Sequence, residues 1–232
     1  MFSVIAEVQP RPEQLNAYLG NATLLRPELE RVSGFVGNVR YWSLTRDGWI
    51  LSLSDWRDEK SVVRWRSAMH HHEVQGRGRR ELLQDYRVRV GEVTTDTHVP
   101  AGHVLEEQRL DETEVGDGTS IVLITDARPA EWRGTSNPPE CAEWLGLDPY
   151  AAEMVSWDVF DAVLTPGDLL LMLVFRDRAS ADHFSDTVLL KDSARLRQVR
   201  VIRDYGMFDR REAPQYYPER RPQEVAHGRV RP

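Results

Sequence analysis

Trp65 and a run of three histidines, His70, His71 and His72, share one stretch of helical pattern. Residues seven apart on a helix lie on one face, so His72 looks the same way as Trp65, and His71 is next best placed. On a neighbouring strand pattern, Asn38, Arg40 and Trp42 alternate onto one face. These side chains suit a planar, ionisable molecule. An imidazole titrates near neutral pH, which makes His72 the candidate base. A guanidinium stabilises a developing oxyanion, the role assigned to Arg40. The Asn38 amide can orient a carbonyl. Trp42, Trp65 and Tyr86 supply walls for stacking, with His71 as a further contact. Zinc would want two histidines four apart and a carboxylate; His72 beside Glu73 does not provide that, so no metal centre is expected. Each residue also has a plainer reading. A tryptophan at helical spacing is more often core, and of three adjacent histidines at least one must face water.

The elements that position these groups are written twice. Arg57-Asp58 and Asp85-Tyr86 recur as Arg176-Asp177 and Asp204-Tyr205 at a constant shift of 119 residues. The same shift carries Trp56 onto Phe175, Trp65 onto Phe184 and Gly48 onto Gly167. In the first copy, strand pattern runs over 2–8, helix over 12–32, and strand over 35–44. A hairpin turn follows at Arg46-Asp47-Gly48, then strand over 49–56. Asp58 caps a second helix with Glu59 in its first turn, further helix is expected around 73–83, and strand returns over 85–94. That order, βαββαβ, is the ferredoxin-like unit. The second copy reads as strand 120–127, helix 130–147, strands 153–163 and 168–175, helix 177–190 and strand 195–209. The expected fold class is therefore α+β, two tandem ferredoxin-like units over 1–95 and 119–209. A polar linker, 96–118, joins them, with an added edge strand conceivable over 102–110, and a partly disordered arm follows over 210–232. Each unit leaves one sheet face bare. Stacking the two faces makes a dimeric α/β barrel, within one chain or between copies in a homo-oligomer.

The chain has 232 residues and a formal net charge of −7, which argues against nucleic acid as a partner. The local basic clusters at Arg77, Arg79 and Arg80 and at Arg210 and Arg211 read as solvated surface. A single cysteine, Cys141, permits no intrachain disulfide and suits a reducing compartment. The opening strand lacks the basic region of a signal peptide, and the longest apolar run, 169–175, is too short for a bilayer. A cytoplasmic location without membrane association is the resulting expectation.

Over Trp56-Arg-Asp-Glu-Lys-Ser-Val-Val-Arg-Trp65 and His70-His71-His72, the sequence resembles the antibiotic biosynthesis monooxygenase family. The opening Phe2-Ser-Val-Ile-Ala-Glu-Val8, Gly34-Phe35 and the strand from Asp85 to Val90 support the likeness. The resemblance implies a pocket between each sheet and its helices. In cofactor-independent members, Trp, Asn, Tyr and Arg side chains hold a polycyclic phenol there, and the phenolate reduces oxygen without flavin or metal. The expectation is a monooxygenase-like enzyme without a cofactor, whose partners are a small aromatic or polyketide-like molecule and molecular oxygen. The same superfamily contains haem-degrading enzymes, which implies an alternative with haem bound by His71 or His72. Trp65 matches their helix tryptophan, but His72 falls one turn short of their axial histidine, at a position held here by Gln75. Their first-strand asparagine is also missing, with Glu7 in that region. A third reading is a small-molecule carrier without turnover.

The second copy serves as a control for the first. The shift places Leu189, Leu190 and Lys191 against the three histidines, Val159 against Arg40 and Asp161 against Trp42. The first copy is therefore expected to be the working half.

Overall fold

The computed structural model describes residues 1–129, 132, 137–148 and 154–216. Eight antiparallel strands close into a barrel. They are β1 (Phe2–Pro10), β2 (Phe35–Ser43), β3 (Ile50–Trp56), β4 (Leu83–Asp96), β5 (Ser120–Ala127), β6 (Ser156–Ala162), β7 (Asp168–Phe175) and β8 (Arg195–Gly206). Around the barrel the order is β1-β3-β2-β6-β7-β5-β8-β4. The first four strands thus run β2-β3-β1-β4 and the last four β6-β7-β5-β8, the same order in each half. Two seams join the halves. One is short, from Tyr41 opposite Ala162 to Ser43 opposite Phe160. The other is long, from Arg87 opposite Gly206 to Asp96 opposite Arg197. Closure occurs within one chain, so a second copy is not needed to cover either bare face.

Side chains alternate across each strand, and one set fills the barrel. Ile5, Tyr41, Leu51, Leu53 and Val93 meet Ile121, Leu123, Phe160, Leu170 and Met172 there. An eight-stranded barrel is just wide enough to be filled this way. Charge is buried too. Glu7, 4% exposed, accepts from Arg46 at 2.5 Å and from Arg89. Burial pushes the Glu7 carboxyl up, but the two guanidiniums outweigh it and hold its pKa below the ordinary value. Arg197 pairs with Asp55, and Arg200 with Glu92.

Helices α1 (Leu15–Glu30), α2 (Glu59–Ser67) and α3 (Met69–Arg77) cover the outside of the first half, while α4 (Pro138–Trp144) and α5 (Arg178–Thr187) cover the second. The repeated Arg-Asp pairs start two of them. Asp58 accepts from the Ser61 amide and Asp177 from the Ser180 amide, both at 2.8 Å, each an N-cap. Cys141 is buried on α4. Among the described residues, no helix is long and apolar enough to cross a membrane.

Three expectations shift. The helix expected to run on from Asp58 breaks at Ala68, whose backbone is extended (φ −61°, ψ 128°), and α3 starts afresh. The linker adds no strand over 102–110, yet it is tied down. The amides of Gln108 and Arg109 donate to buried Glu92, and Leu105 packs against the barrel core. Of the helix expected over 130–147, helix is seen over 138–144; the part at 130, 131 and 133–136 lies outside the described residues, as does the arm beyond 216.

Candidate functional site

Two rows of small or polar side chains face outward on the first-half sheet. Val4, Ser54 and Asn38 lie side by side across β1, β3 and β2, and Ala6, Ser52 and Arg40 form the next row. The same registers in the second half hold Val122, Leu173 and Trp157, then Ile124, Leu171 and Val159. Those larger residues pack against Cys141, Ala142, Leu145 and Ala181 under α4 and α5. In the first half the shorter side chains leave a gap beneath α1, α2 and α3. It is a cavity of about 270 Å³, near the small end of the usual range for ligand pockets.

The cavity wall is apolar along Val4, Ala6, Val8, Leu25, Val62 and Leu82. Trp65 lines it, stacked on His71 with ring centroids 4.2 Å apart and planes 16° apart. The break at Ala68 creates this pair. Where α2 ends, the Trp65 carbonyl has lost its helical partner, and it accepts from the Ala68 amide and, at 3.0 Å, from His71 Nδ1. That bond fixes the tautomer and leaves Nε2 as an acceptor. Burial, against the pull of the Trp65 carbonyl, pushes the His71 pKa down to about 4, so the ring is neutral at pH 7.

Arg40 also lines the cavity. Its Nε is buried with no hydrogen-bond partner, and among the described residues no carboxylate lies within ion-pair distance of it. It faces the buried Tyr18 hydroxyl. Burial raises the pKa of that phenol despite the nearby cation, so Tyr18 is a neutral neighbour. Asn38 commits its amide nitrogen to Ser52 Oγ and the Leu53 carbonyl, both at 3.0 Å. Its donors are therefore used within the sheet, and what it offers a ligand is an acceptor.

Residues far along the chain complete the enclosure. Tyr86 lines the cavity, and its hydroxyl accepts from Arg79 at 2.9 Å and from Arg210 at 2.7 Å. Arg79 is 4% exposed and also donates to the Met207 carbonyl at 2.7 Å. Arg210 holds the Gln215 carbonyl at 2.8 Å, and Gln215 reaches back to the Arg66 carbonyl and His72 Nδ1, both at 3.3 Å. Arg203 and Tyr205 of β8 line the cavity as well. The segment after β8 thus forms part of the wall, and the cavity is not built from residues 1–95 alone.

Of the residues singled out in the sequence, Asn38, Arg40, Trp65, His71 and Tyr86 meet at this cavity. His72 and Trp42 do not line it. His72 is exposed on the outer side of α3, because the new helix phase after Ala68 turns His71 inward in its place. Trp42 packs instead with Val8, Ile50, Leu83 and Met207 at the end of the sheet. Arg79 and Arg210, read as solvated, line the cavity. The two glycines interleaved with this cluster, Gly76 and Gly78, are both buried, the local sign that the segment packs inward.

The haem pattern is met only in part: of its two candidate axial histidines, His71 lines the cavity. His72 lies outside the cavity, and Glu7 points into the barrel, locked by Arg46 and Arg89. What β1 turns toward the cavity is Val4, Ala6 and Val8, none of which can donate from a side chain. Among the described residues no group of three or more His, Cys, Asp or Glu is placed to hold a metal ion.

The antibiotic biosynthesis monooxygenase family matches residues 1–77. A relative from Pyricularia oryzae, named jasmonate monooxygenase ABM, is 43% identical over 222 residues, covering 94% of this chain and 99% of the relative. The chain belongs to the antibiotic biosynthesis monooxygenase family. A solved structure from Pseudomonas aeruginosa is 18% identical and covers 38% of this chain and 89% of its own, with a TM-score of 0.35. An anthrone oxidase-like protein is 11% identical, covers 92% and 96%, and has a TM-score of 0.32. The match over 1–77 takes in β1 to α3, and so most of the cavity wall. Tyr86, Arg203 and Arg210 lie beyond it.

Proposed function

We propose that this family member is a monooxygenase that takes a small, largely apolar molecule into the first-half cavity and reacts it with molecular oxygen. The observation that carries this is the cavity itself. Most of its wall lies within the region matching the family, and it sits beneath stacked Trp65 and His71, at registers that the second half fills with large side chains. His71, through Nε2, replaces His72 as the histidine that reaches a bound molecule. We read the chain as a duplicated ferredoxin-like unit with one working half. The constant shift of 119 residues and the matching strand order support this.

The relative's name makes jasmonate the first compound to try, followed by aromatic and polyketide-like phenols. We propose that no cofactor takes part, and electron balance limits what such a reaction can be. Dioxygen needs four electrons. Turning a CH2 group beside an oxyanion into C=O releases four; one oxygen atom enters the product and the other leaves as water. Insertion into one C–H bond to give C–OH releases only two, so a reductant must supply the rest. The test is oxygen uptake by the purified protein with each compound, with and without reduced nicotinamide, and product mass under ¹⁸O₂. Uptake with one labelled oxygen atom in the product is the expected result. No uptake under any of these conditions, with saturable binding, leaves a carrier instead. A Soret shift with haemin that is lost in His71→Ala would replace the cofactor-free reading.

A further inference from the structure

The charge inside the cavity is one-sided. Among the described residues five arginines line it, Arg40, Arg66, Arg79, Arg203 and Arg210, and no aspartate or glutamate does. The chain as a whole is acidic, at −7. Elsewhere its buried arginines have carboxylate partners, as Arg89 has Glu7, Arg197 has Asp55 and Arg200 has Glu92. Arg79 and Arg210 are held by the Tyr86 hydroxyl and backbone carbonyls. Arg40 is different. Among the described residues no carboxylate lies within ion-pair distance of it, the phenol of Tyr18 beside it is neutral, and its Nε, like those of Arg89, Arg197 and Arg200, has no acceptor. Arg40 is half-buried with its Nε shut off from water. A partly desolvated cation without a counter-charge carries a cost, and the described residues supply none here. Beyond Ser52 and Asn38, the wall formed by Val4, Ala6, Leu25 and Val62 is apolar.

Resting on the monooxygenase reading of this cavity, we propose that its ligand is an organic carboxylate whose anionic head pairs with Arg40 while its apolar body lies along Val4, Ala6, Leu25 and Val62 toward Trp65. A guanidinium matches a carboxylate with two parallel hydrogen bonds, so Nε and a terminal nitrogen of Arg40 together form the fork. Arg40 then determines specificity by charge. It rejects esters, amides and alcohols of the same shape, because they leave its Nε hydrogen unmet. It also fixes which end of the molecule faces Trp65 and His71, because the carboxylate is anchored at the β2 side of the sheet. No bond is made or broken at Arg40.

The test is binding in the absence of turnover, under nitrogen, followed by quenching of tryptophan fluorescence and by calorimetry. The probes are decanoate and 1-naphthylacetate, each against its methyl ester. The expected result is at least tenfold tighter binding of the acids. Arg40→Met should weaken the acids at least tenfold and leave the esters within about twofold, while Arg40→Lys recovers part of the loss. Near-UV circular dichroism and the melting temperature establish that each variant is folded. If Arg40→Met does not fold, the acid-to-ester ratio of the natural protein and its decline with added salt carry the test. Equal affinity for acid and ester, an equal loss of both in Arg40→Met, or no saturable binding of either acid below millimolar concentration overturns the proposal. The two readings fail separately. Arg40-dependent acid binding without oxygen uptake by any compound removes the oxygenase and keeps the anion site. Oxygen uptake that treats acid and ester alike removes the anion site and keeps the oxygenase.

Discussion

Acid should weaken this protein through His71 before it weakens it through any carboxylate. The His71 pKa is about 4 in the folded chain, against 6.5 for an ordinary histidine. Burial lowers it, so the folded state refuses a proton that the unfolded state accepts. Stability is intact above the unfolded value, falls as pH drops below 6.5, and stops falling below about 4. Two and a half units correspond to about 3 kcal/mol in full, and about 2 kcal/mol of that is gone at pH 5. Carboxylates with lowered folded values, such as Glu7 and Asp58, lose their contribution only below the unfolded carboxylate range, at more acid pH. They also titrate in both proteins of a comparison and cancel. His71→Phe keeps a ring against Trp65 and removes the titration. The assay is urea unfolding at pH 7.5, 6 and 5, read by tryptophan fluorescence. The natural protein should lose about 2 kcal/mol more than His71→Phe between pH 7.5 and 5. Parallel pH dependences in the two proteins would refute the placement of His71 in a desolvated stack.

Two further perturbations probe the sheet. Ser54→Leu places in the first half the residue type that Leu173 supplies in the second. It should abolish probe binding and change the melting temperature little, because the roughly 1 to 2 kcal/mol of burial gained is offset by loss of the bond that Ser54 Oγ accepts from Trp56 Nε1 at 3.0 Å; retained binding would mean the probe sits elsewhere. Glu7→Gln leaves Arg46 and Arg89 facing each other without their shared carboxylate. About 3 to 5 kcal/mol of stability should be lost, measured by chemical unfolding, and a change under 1 kcal/mol would show that the buried charges rearrange.

Much of the scaffold is legible in local pattern. Asp58 and Asp177 announce helix starts through cap chemistry, and alternation along β2 puts Asn38 and Arg40 on one shared face, while which side of the sheet that face takes is set only by the barrel. What local pattern did not carry was phase. Ala68 is a good helix former, so nothing nearby announces that it is extended, and the face inherited from Trp65 picks out His72 rather than His71. The bond from His71 Nδ1 to the Trp65 carbonyl accompanies that break, and it exists only once the chain has turned. Arg79 and Arg210 sit in clusters that look like solvated surface. Their partner Tyr86 is seven residues from one and 124 from the other, and the latter pairing depends on barrel closure. The gap at Ser52 and Ser54 was not read from the sequence, because two short side chains on a strand acquire meaning only through the register that sets them against Ala6 and Val4.

The two seams that close the barrel inside one polypeptide have a consequence for stoichiometry. A barrel made from two identical chains must carry every change twice, so an enlarged site on one side brings its twin on the other. Here Leu171 and Leu173 can stay large while Ser52 and Ser54 stay small. One half can therefore keep a densely packed outer face while its neighbour gives up packing for volume. On the proposed function, each chain binds one molecule, and among the described residues the second half repeats no such cavity at the matching registers. A titration of the intact protein should saturate at one ligand per chain along a simple hyperbola.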